Sequence, residues 1–266
     1  MSSRTARTVV ITGAAAGIGR RTALTLAGKG WTVGAFDLDE TGLATLADEA
    51  GGLPGRVLTG HLDVTDAAQF AERVDGFVAE TGRLDAIVNN AGILLAGRFE
   101  EIDVARHHQE IDINTKGVVN GLHAAFAHLR ATPGSVAVNL ASASAIYGQA
   151  EIANYSATKF FVRGLTEALD IEWKRHGIRV AAIWPLYVQT AMTADIRTGT
   201  TDRLGIKLGP QDVADAVVGA IEPPLPRRLV KQVHFTVGNQ TRAMALGSRF
   251  SPAWLTRAVN KNLAGH

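Results

Sequence analysis

The sequence predicts an α/β fold: a doubly wound parallel sheet in one domain over residues 1–226, with a basic amphipathic C-terminal extension over residues 227–266. Three observations carry that prediction. Short β-branched runs alternate with longer helical stretches, which is the pattern of a parallel sheet with crossover helices. The runs VVIT, DAIVN, SVAVNL and RVAAIW are apolar along their length, as strands covered on both faces must be. A glycine-rich turn, Thr12-Gly13-Ala14-Ala15-Ala16-Gly17-Ile18-Gly19, joins the first strand to the first helix.

Six strands are read in order, at 8–12, 32–37, 57–62, 86–89, 135–140 and 179–184, with helices including 18–29, 67–80 and 154–176. In the first turn Gly13 permits a tight bend, Gly17 lets backbone approach a pyrophosphate, and Gly19 lets the helix pack on the sheet. The helix N-terminus then offers free N–H groups to phosphate, so Ala15 and Ile18 join the glycines as cofactor positions. Such a turn between first strand and first helix is the dinucleotide-binding signature of a Rossmann-type domain. Asp37 ends the second strand 18 residues after Gly19, where a carboxylate accepts ribose hydroxyls and repels a 2′-phosphate. Asp39 is placed to cap the helix that follows, and Ala16 and Leu38 stand where a cation would otherwise meet that phosphate. NAD is therefore expected over NADP.

Beyond the last strand read, residues 188–208 are small and polar and read as a loop or loose helix able to act as a lid. The tail follows Pro223, Pro224 and Pro226. Trp254, Leu255, Ala258, Val259 and Leu263 fall on one helical face there.

Composition narrows the class. With 266 residues, 46% hydrophobic and 20% charged, the chain is an ordinary globular protein. The absence of cysteine excludes disulfides, thiolate metal sites and cysteine nucleophiles, and a reduced cytoplasm is expected. The N-terminus MSSRTARTVV has no signal-peptide pattern, and no apolar run reaches the roughly 20 residues of a membrane span. The net charge is +2, but seven cations and no acid follow Glu222, leaving 20 basic against 25 acidic residues elsewhere. A nucleic-acid surface is not expected from that distribution. The tail is expected to pack on the body or on a neighbouring subunit, in preference to an anionic membrane. His107 and His108 are adjacent and diverge by about 100° on a helix, so no metal site is expected. Trp31, Trp173 and Trp184 read as packing.

The chemistry concentrates near the fifth strand. Tyr155 and Lys159, four residues apart at the start of a long helix, project from the same face. An ammonium beside a phenol favours phenolate, which suits Tyr155 to proton exchange with an alcohol or ketone. Ser142, 13 residues upstream at a strand end, is placed to hydrogen-bond the same substrate oxygen. Asn114 lies in a helical stretch and is placed to hold a water behind Lys159. Leu94, Leu95, Gln149, Tyr187, Met192 and Ile196 are read as candidates for the substrate pocket, and Leu94, Gln149, Tyr187 and Met192 are retained as its walls. Their mostly apolar character points to a hydrophobic alcohol or ketone.

Taken in order, TGAAAGIG at 12–19, Asp63-Val64, Asn89-Asn90-Ala91-Gly92, Asn114 in NTKG, Ser142 and Tyr155-Ser156-Ala157-Thr158-Lys159 resemble the short-chain dehydrogenase/reductase family, compact single-domain subgroup. The resemblance runs over roughly residues 7–190. It implies that Asp63 and Val64 contact the adenine and that Asn89 steadies the central strand. Asn90, Ala91, Gly92, Pro185, Val188 and Thr190 would line the cofactor, and Lys159 would hold the nicotinamide ribose. Tyr155 would be the acid/base, Ser142 the carbonyl orienter and Asn114 a member of the proton relay. It also implies a homodimer or homotetramer. Two features depart from the pattern. The family's Pro-Gly after the sixth strand is replaced by Pro185-Leu186-Tyr187, and its usual final strand with Asp-Gly-Gly is missing. The expected function is NAD-dependent interconversion of a secondary alcohol and a ketone. A non-catalytic NAD-binding sensor or scaffold is the alternative. A nucleotide-sugar epimerase or dehydratase shares the Tyr/Lys pair but needs a larger C-terminal substrate domain than the remaining chain provides.

Overall fold

The protein, seen as a computed structural model, is described over residues 6–193, 198–223 and 232–264. Seven strands form one sheet: β1 (Thr8–Thr12), β2 (Thr32–Asp37), β3 (Arg56–His61), β4 (Ala86–Asn89), β5 (Val136–Leu140), β6 (Arg179–Trp184) and β7 (His234–Thr236). Their spatial order is β3-β2-β1-β4-β5-β6-β7, and every pairing is parallel. The seventh strand corrects the six-strand reading. His234, Phe235 and Thr236 pair with Ala182, Ile183 and Trp184, so a final strand is present without the Asp-Gly-Gly ending. Three residues among polar and basic neighbours carry almost no local signal, and the edge of β6 supplies the register.

The helices α1 (Gly17–Gly28), α2 (Glu40–Ala50), α3 (Ala67–Thr81), α4 (Val104–Ile111), α5 (Gly117–Ala131), α6 (Ala153–Trp173), α7 (Gly199–Leu204), α8 (Pro210–Ile221), α9 (Asn239–Phe250) and α10 (Ala253–Ala264) follow in chain order. Side-chain alternation along each strand feeds two cores. Val9 and Ile11 of β1 pack with α1 and α8 residues such as Leu26 and Val217, while Val10 packs with Phe70, Phe77 and Leu122 of α3 and α5. Full burial of an aliphatic or phenylalanine side chain is worth about 1.5–3 kcal/mol each, which fixes the sheet between its two helical layers. Trp31, Trp173 and Trp184 are buried, as read from the sequence. Asp39 caps α2, its side chain accepting from Gly42 N at 2.9 Å.

Between α4 and α5, residues Asp112–Lys116 form a π-helical turn. The widened turn carries Asn114 at a place the sequence reads as ordinary helix. Such turns recur at functional sites because they redirect one side chain without ending the helix.

Across residues 188–208, Val188 and Leu208 form a bridge, with a 3-10 turn at Ala191–Thr193 and α7 capped by Thr198 among the described residues. Ile196 lies outside the described residues. In the tail, Thr241 is fully buried and Met244 and Ala245 pack on the second core. Phe250 and Trp254 face outward at 87% and 70% exposure, and Leu255 and Ala258 are also exposed. The side chains of Val259 and Leu263 lie outside the description. Asn260 donates to the Gly148 carbonyl and Arg203 donates to Asn262, tying α10 to the loop before α6 and to α7. Among the described residues no helix is long and apolar enough to cross a membrane.

Candidate active site

All strands being parallel, their carboxyl ends share one edge, and the strand order reverses between β1 and β4, where such sheets open a binding crevice. A cleft of about 370 Å³ runs along that edge. At one end it is lined by Gly13, Gly17, Ile18, Asp37, Leu38, Asp63 and Val64. In the middle come Asn90, Ala91, Gly92, Pro185, Val188 and Thr190, and the far end holds Ser142, Tyr155 and Lys159 beside Leu94, Gln149, Tyr187 and Met192. Four positions read from the sequence stand behind this wall: Ala15, Gly19, Leu95 and Asn114 are not among its lining residues.

In the glycine turn, Gly13 and Gly19 have no room for a side chain. Gly13 and Gly17 adopt left-handed backbone, with φ of 66° and 54°. A Cβ on Gly19 would sit 2.1 Å from the Gly13 carbonyl oxygen and 2.7 Å from Asn90 Nδ2. Gly19 thus serves contact with the turn itself more than with the sheet. Asn90 locks that turn, its Nδ2 donating to the carbonyls of Thr12 (2.9 Å) and Gly13 (3.0 Å). The first turn of α1 has no side-chain cap, which leaves its amide N–H groups for a ligand. Asp37 accepts from Ala15 N at 2.9 Å and from Asp39 N at 3.1 Å, so its carboxylate is held at the tip of β2. Arg20 is turned to the Gly42 carbonyl (3.0 Å) and Glu49 (2.7 Å). Asp63 is fixed by accepting from Thr65 N at 2.9 Å. Asn89 donates to Asn139 at 2.9 Å, and Asn139 to Thr166 at 3.0 Å, which ties β4 and β5 to α6.

Lys159 is buried and donates to the Leu140 carbonyl at 2.9 Å. Burial lowers its ammonium to about 8, with the Glu110 carboxylate partly opposing. Its Nζ lies 5.3 Å from the centroid of the Tyr155 ring. Burial pushes the Tyr155 phenol well above its ordinary value; the Ser142 hydroxyl pulls it back, and Glu110 and Tyr187 add to the rise. The expected lowering by Lys159 is therefore not seen. Desolvation of the buried phenol outweighs the neighbouring ammonium. A protonated phenol is the form that gives a proton to a carbonyl oxygen. Ser142 is buried, accepts from Ser144 N at 3.1 Å, and shares the cleft wall with Ser144.

Asn114 is fully buried and does not open onto the cleft. Its Oδ1 accepts from Ile93 N and its Nδ2 donates to Ile93 O, both at 2.9 Å, and Nδ2 also reaches Thr158 Oγ1 at 3.2 Å. A Cβ on Gly92 would meet Asn114 Oδ1 at 3.0 Å, so the loop after β4 approaches as closely as glycine permits. Three residues of this neighbourhood were not read from the sequence: Glu110, Asn154 and Ser144. Only Ser144, two residues beyond Ser142 at the same strand end, had a local signal. Among the described residues no group of three His, Asp or Glu side chains is arranged to hold a metal.

Comparison with known proteins agrees with this architecture. The family model for short chain dehydrogenase matches residues 7–201. The chain is 36% identical over 215 residues to a 3-oxoacyl-(acyl-carrier-protein) reductase of Thermotoga maritima, covering 79% of this chain and 87% of that protein. It is 34% identical over 226 residues to a trans-4-hydroxycyclohexanecarboxylate dehydrogenase of Sinomonas cyclohexanicum, covering 82% and 87%. Among solved structures it is similar to a 3-ketoacyl-(acyl-carrier-protein) reductase from Brucella melitensis complexed with NADH, with a TM-score of 0.80 and 26% identity over 90% of this chain and all of that one. The parallel seven-stranded sheet, the glycine turn and the matched span together place this chain in the short-chain dehydrogenase/reductase family of oxidoreductases.

Proposed function

We propose that the protein is an NAD-dependent oxidoreductase that interconverts a secondary alcohol and a ketone on a hydrophobic substrate. The observation that carries this reading is the convergence of Ser142, Tyr155 and Lys159 in one cleft with the glycine turn and Asp37. The residues fit a dinucleotide. The uncapped start of α1 and the glycine turn suit a pyrophosphate, and Asp37 suits an adenosine ribose. Leu38 lines that end at 55% exposure, Arg20 is engaged elsewhere, and Lys159 is the lone Lys or Arg among the described lining residues, which favours NAD over NADP.

A bound nicotinamide dinucleotide would supply the hydride-transfer chemistry. The chain's own contribution is orientation and proton movement. Tyr155 gives its phenolic proton to the carbonyl oxygen in reduction and takes it back in oxidation. Ser142 holds that oxygen by a hydrogen bond, and Lys159 holds the cofactor's ribose hydroxyls while its charge favours the phenolate after transfer. Asn114 belongs to this machinery through the loop after β4, which it fixes at Ile93. Ile93, Leu94, Leu186, Tyr187 and Met192 give the far end of the cleft its apolar wall, with Gln149 accepting from the Tyr187 hydroxyl at 3.0 Å. Exposed Val119 on α5 and Phe160, Phe161 and Ile171 on α6 support a homo-oligomer. The cysteine-free chain supports a cytoplasmic location.

Purified protein incubated with NAD+ and a panel of alicyclic, steroid and long-chain secondary alcohols and polyols tests the reading. NADH formation with at least one apolar secondary alcohol is expected. NADH binding without turnover on any of these would favour the sensor alternative.

A further inference from the structure

Glu110 is a fully buried carboxylate outside the catalytic set, at the end of α4 and one helical turn before Asn114. Its surroundings repeat those of Asn114. Asn114 clips the loop after β4 at Ile93 and touches α6 at Thr158; Glu110 clips the same loop at Leu95, accepting from its N–H at 2.8 Å, and touches α6 at Asn154, accepting from Nδ2 at 2.7 Å. Residues 110 and 114 are four apart on one helix, as are 154 and 158 on the other, and Tyr155 and Lys159 each follow the clamped residue by one. Asn154 also donates to the His107 carbonyl at 3.1 Å, so the junction includes the body of α4.

From this double clamp we infer that Glu110 is a positioning residue for the Tyr155–Lys159 pair, fixing the start of α6 and supplying a buried negative charge that keeps Lys159 an ammonium. Burial pushes the Glu110 carboxyl above its ordinary value, and the N–H donors of Leu95 and Asn154, one on each oxygen, favour its ionised form. The charged and titratable groups facing it are His107 on its own helix and Tyr155 and Lys159 on α6; the loop contributes the backbone N–H of Leu95. His107 engages the Phe99 carbonyl at 3.0 Å through Nε2 and is stacked on the Phe99 ring. On α6 the cation that Glu110 favours is Lys159. Burial alone favours neutral lysine, and the nearby anion opposes it. The inference rests on the proposed role of Lys159 in holding the cofactor.

The test is NADH binding, followed by fluorescence from pH 6 to 10 in the full chain, and needs no substrate. Wild-type affinity is expected to fall as Lys159 loses its proton. Glu110→Gln, which keeps the shape and removes the charge, is expected to move that fall to lower pH by about half a unit or more. Asn154→Ala, which breaks the hydrogen bond and keeps the charge, is expected to weaken binding with the pH of the fall unchanged. If Glu110→Gln does not fold, Glu110→Gln with Asn154→Asp restores an anion across the same bond and is expected to titrate like the wild type. Coincident curves for the wild type and Glu110→Gln, or a displaced curve for the double variant, overturn the role of Glu110. A wild type that binds no NADH at any pH overturns the function proposed above.

Discussion

Gly19→Ala is the sharpest local test of the cofactor turn. A Cβ at this position would lie 2.1 Å from the Gly13 carbonyl oxygen and 2.7 Å from Asn90 Nδ2. The first contact is with backbone, so the turn or the helix must move. Overpacking of this kind costs about 1–3 kcal/mol. Displacing Asn90 also loosens its two hydrogen bonds to Thr12 and Gly13, worth about 1 kcal/mol each. Helix propensity returns at most about 1 kcal/mol for alanine over glycine. The net loss is about 2–4 kcal/mol, a Tm lowered by about 4–16 °C for a domain of this size. Gly28→Ala, in the last position of the same helix, is the control. It is exposed with nothing within 4 Å of its added Cβ, so a neutral or slightly raised Tm is expected. Thermal melts and NADH titration read both variants. Gly19→Ala should lose at least about tenfold in NADH affinity, equivalent to 1.4 kcal/mol. A Gly19→Ala protein as stable and as tightly binding as Gly28→Ala would refute the assignment of this turn.

Two further outcomes follow from charged groups. Burial lowers Lys159 from 10.5 to about 8, so between those values the unfolded chain holds a proton that the folded protein has released. Wild-type stability relative to Lys159→Met should therefore rise as pH increases across that window, by at most about 3 kcal/mol. Denaturant unfolding at pH 7, 9 and 10.5 measures it, and a flat or falling difference contradicts the burial argument. Asp37 predicts NADH binding at least about tenfold tighter than NADPH, one well-placed polar discrimination. Asp37→Ala with Leu38→Arg should narrow or invert that ratio in competitive titration, and equal wild-type affinities would sink the assignment.

The parts of the fold legible in the sequence are those written locally. Four of the strands, β1, β4, β5 and β6, announce themselves as continuous apolar runs because they are covered on both faces. The glycine turn, Asp37, and the Tyr155/Lys159 spacing are each contained within one turn or one strand end. What was missed is non-local. The strand His234–Thr236 is defined by the open edge of β6, and nothing in three residues marks it. The π turn at Asp112–Lys116 has no composition of its own and reads as helix. Glu110 and Asn154 meet across 44 residues of chain, and no periodicity connects them. The lowering of the Tyr155 pKa by Lys159 was inferred from spacing alone. The sign depends on how deeply the phenol is buried, and at Tyr155 desolvation is the largest influence.

The central claim is that Tyr155 moves the proton while the rest of the cleft binds and orients. Wild type and Tyr155→Phe, assayed side by side with NAD+ and the best secondary alcohol from the panel, test it most directly. Turnover should fall by about 10²-fold or more in the variant, with NADH affinity within a few fold of the wild type. A Tyr155→Phe protein that turns over at near the wild-type rate would contradict the account.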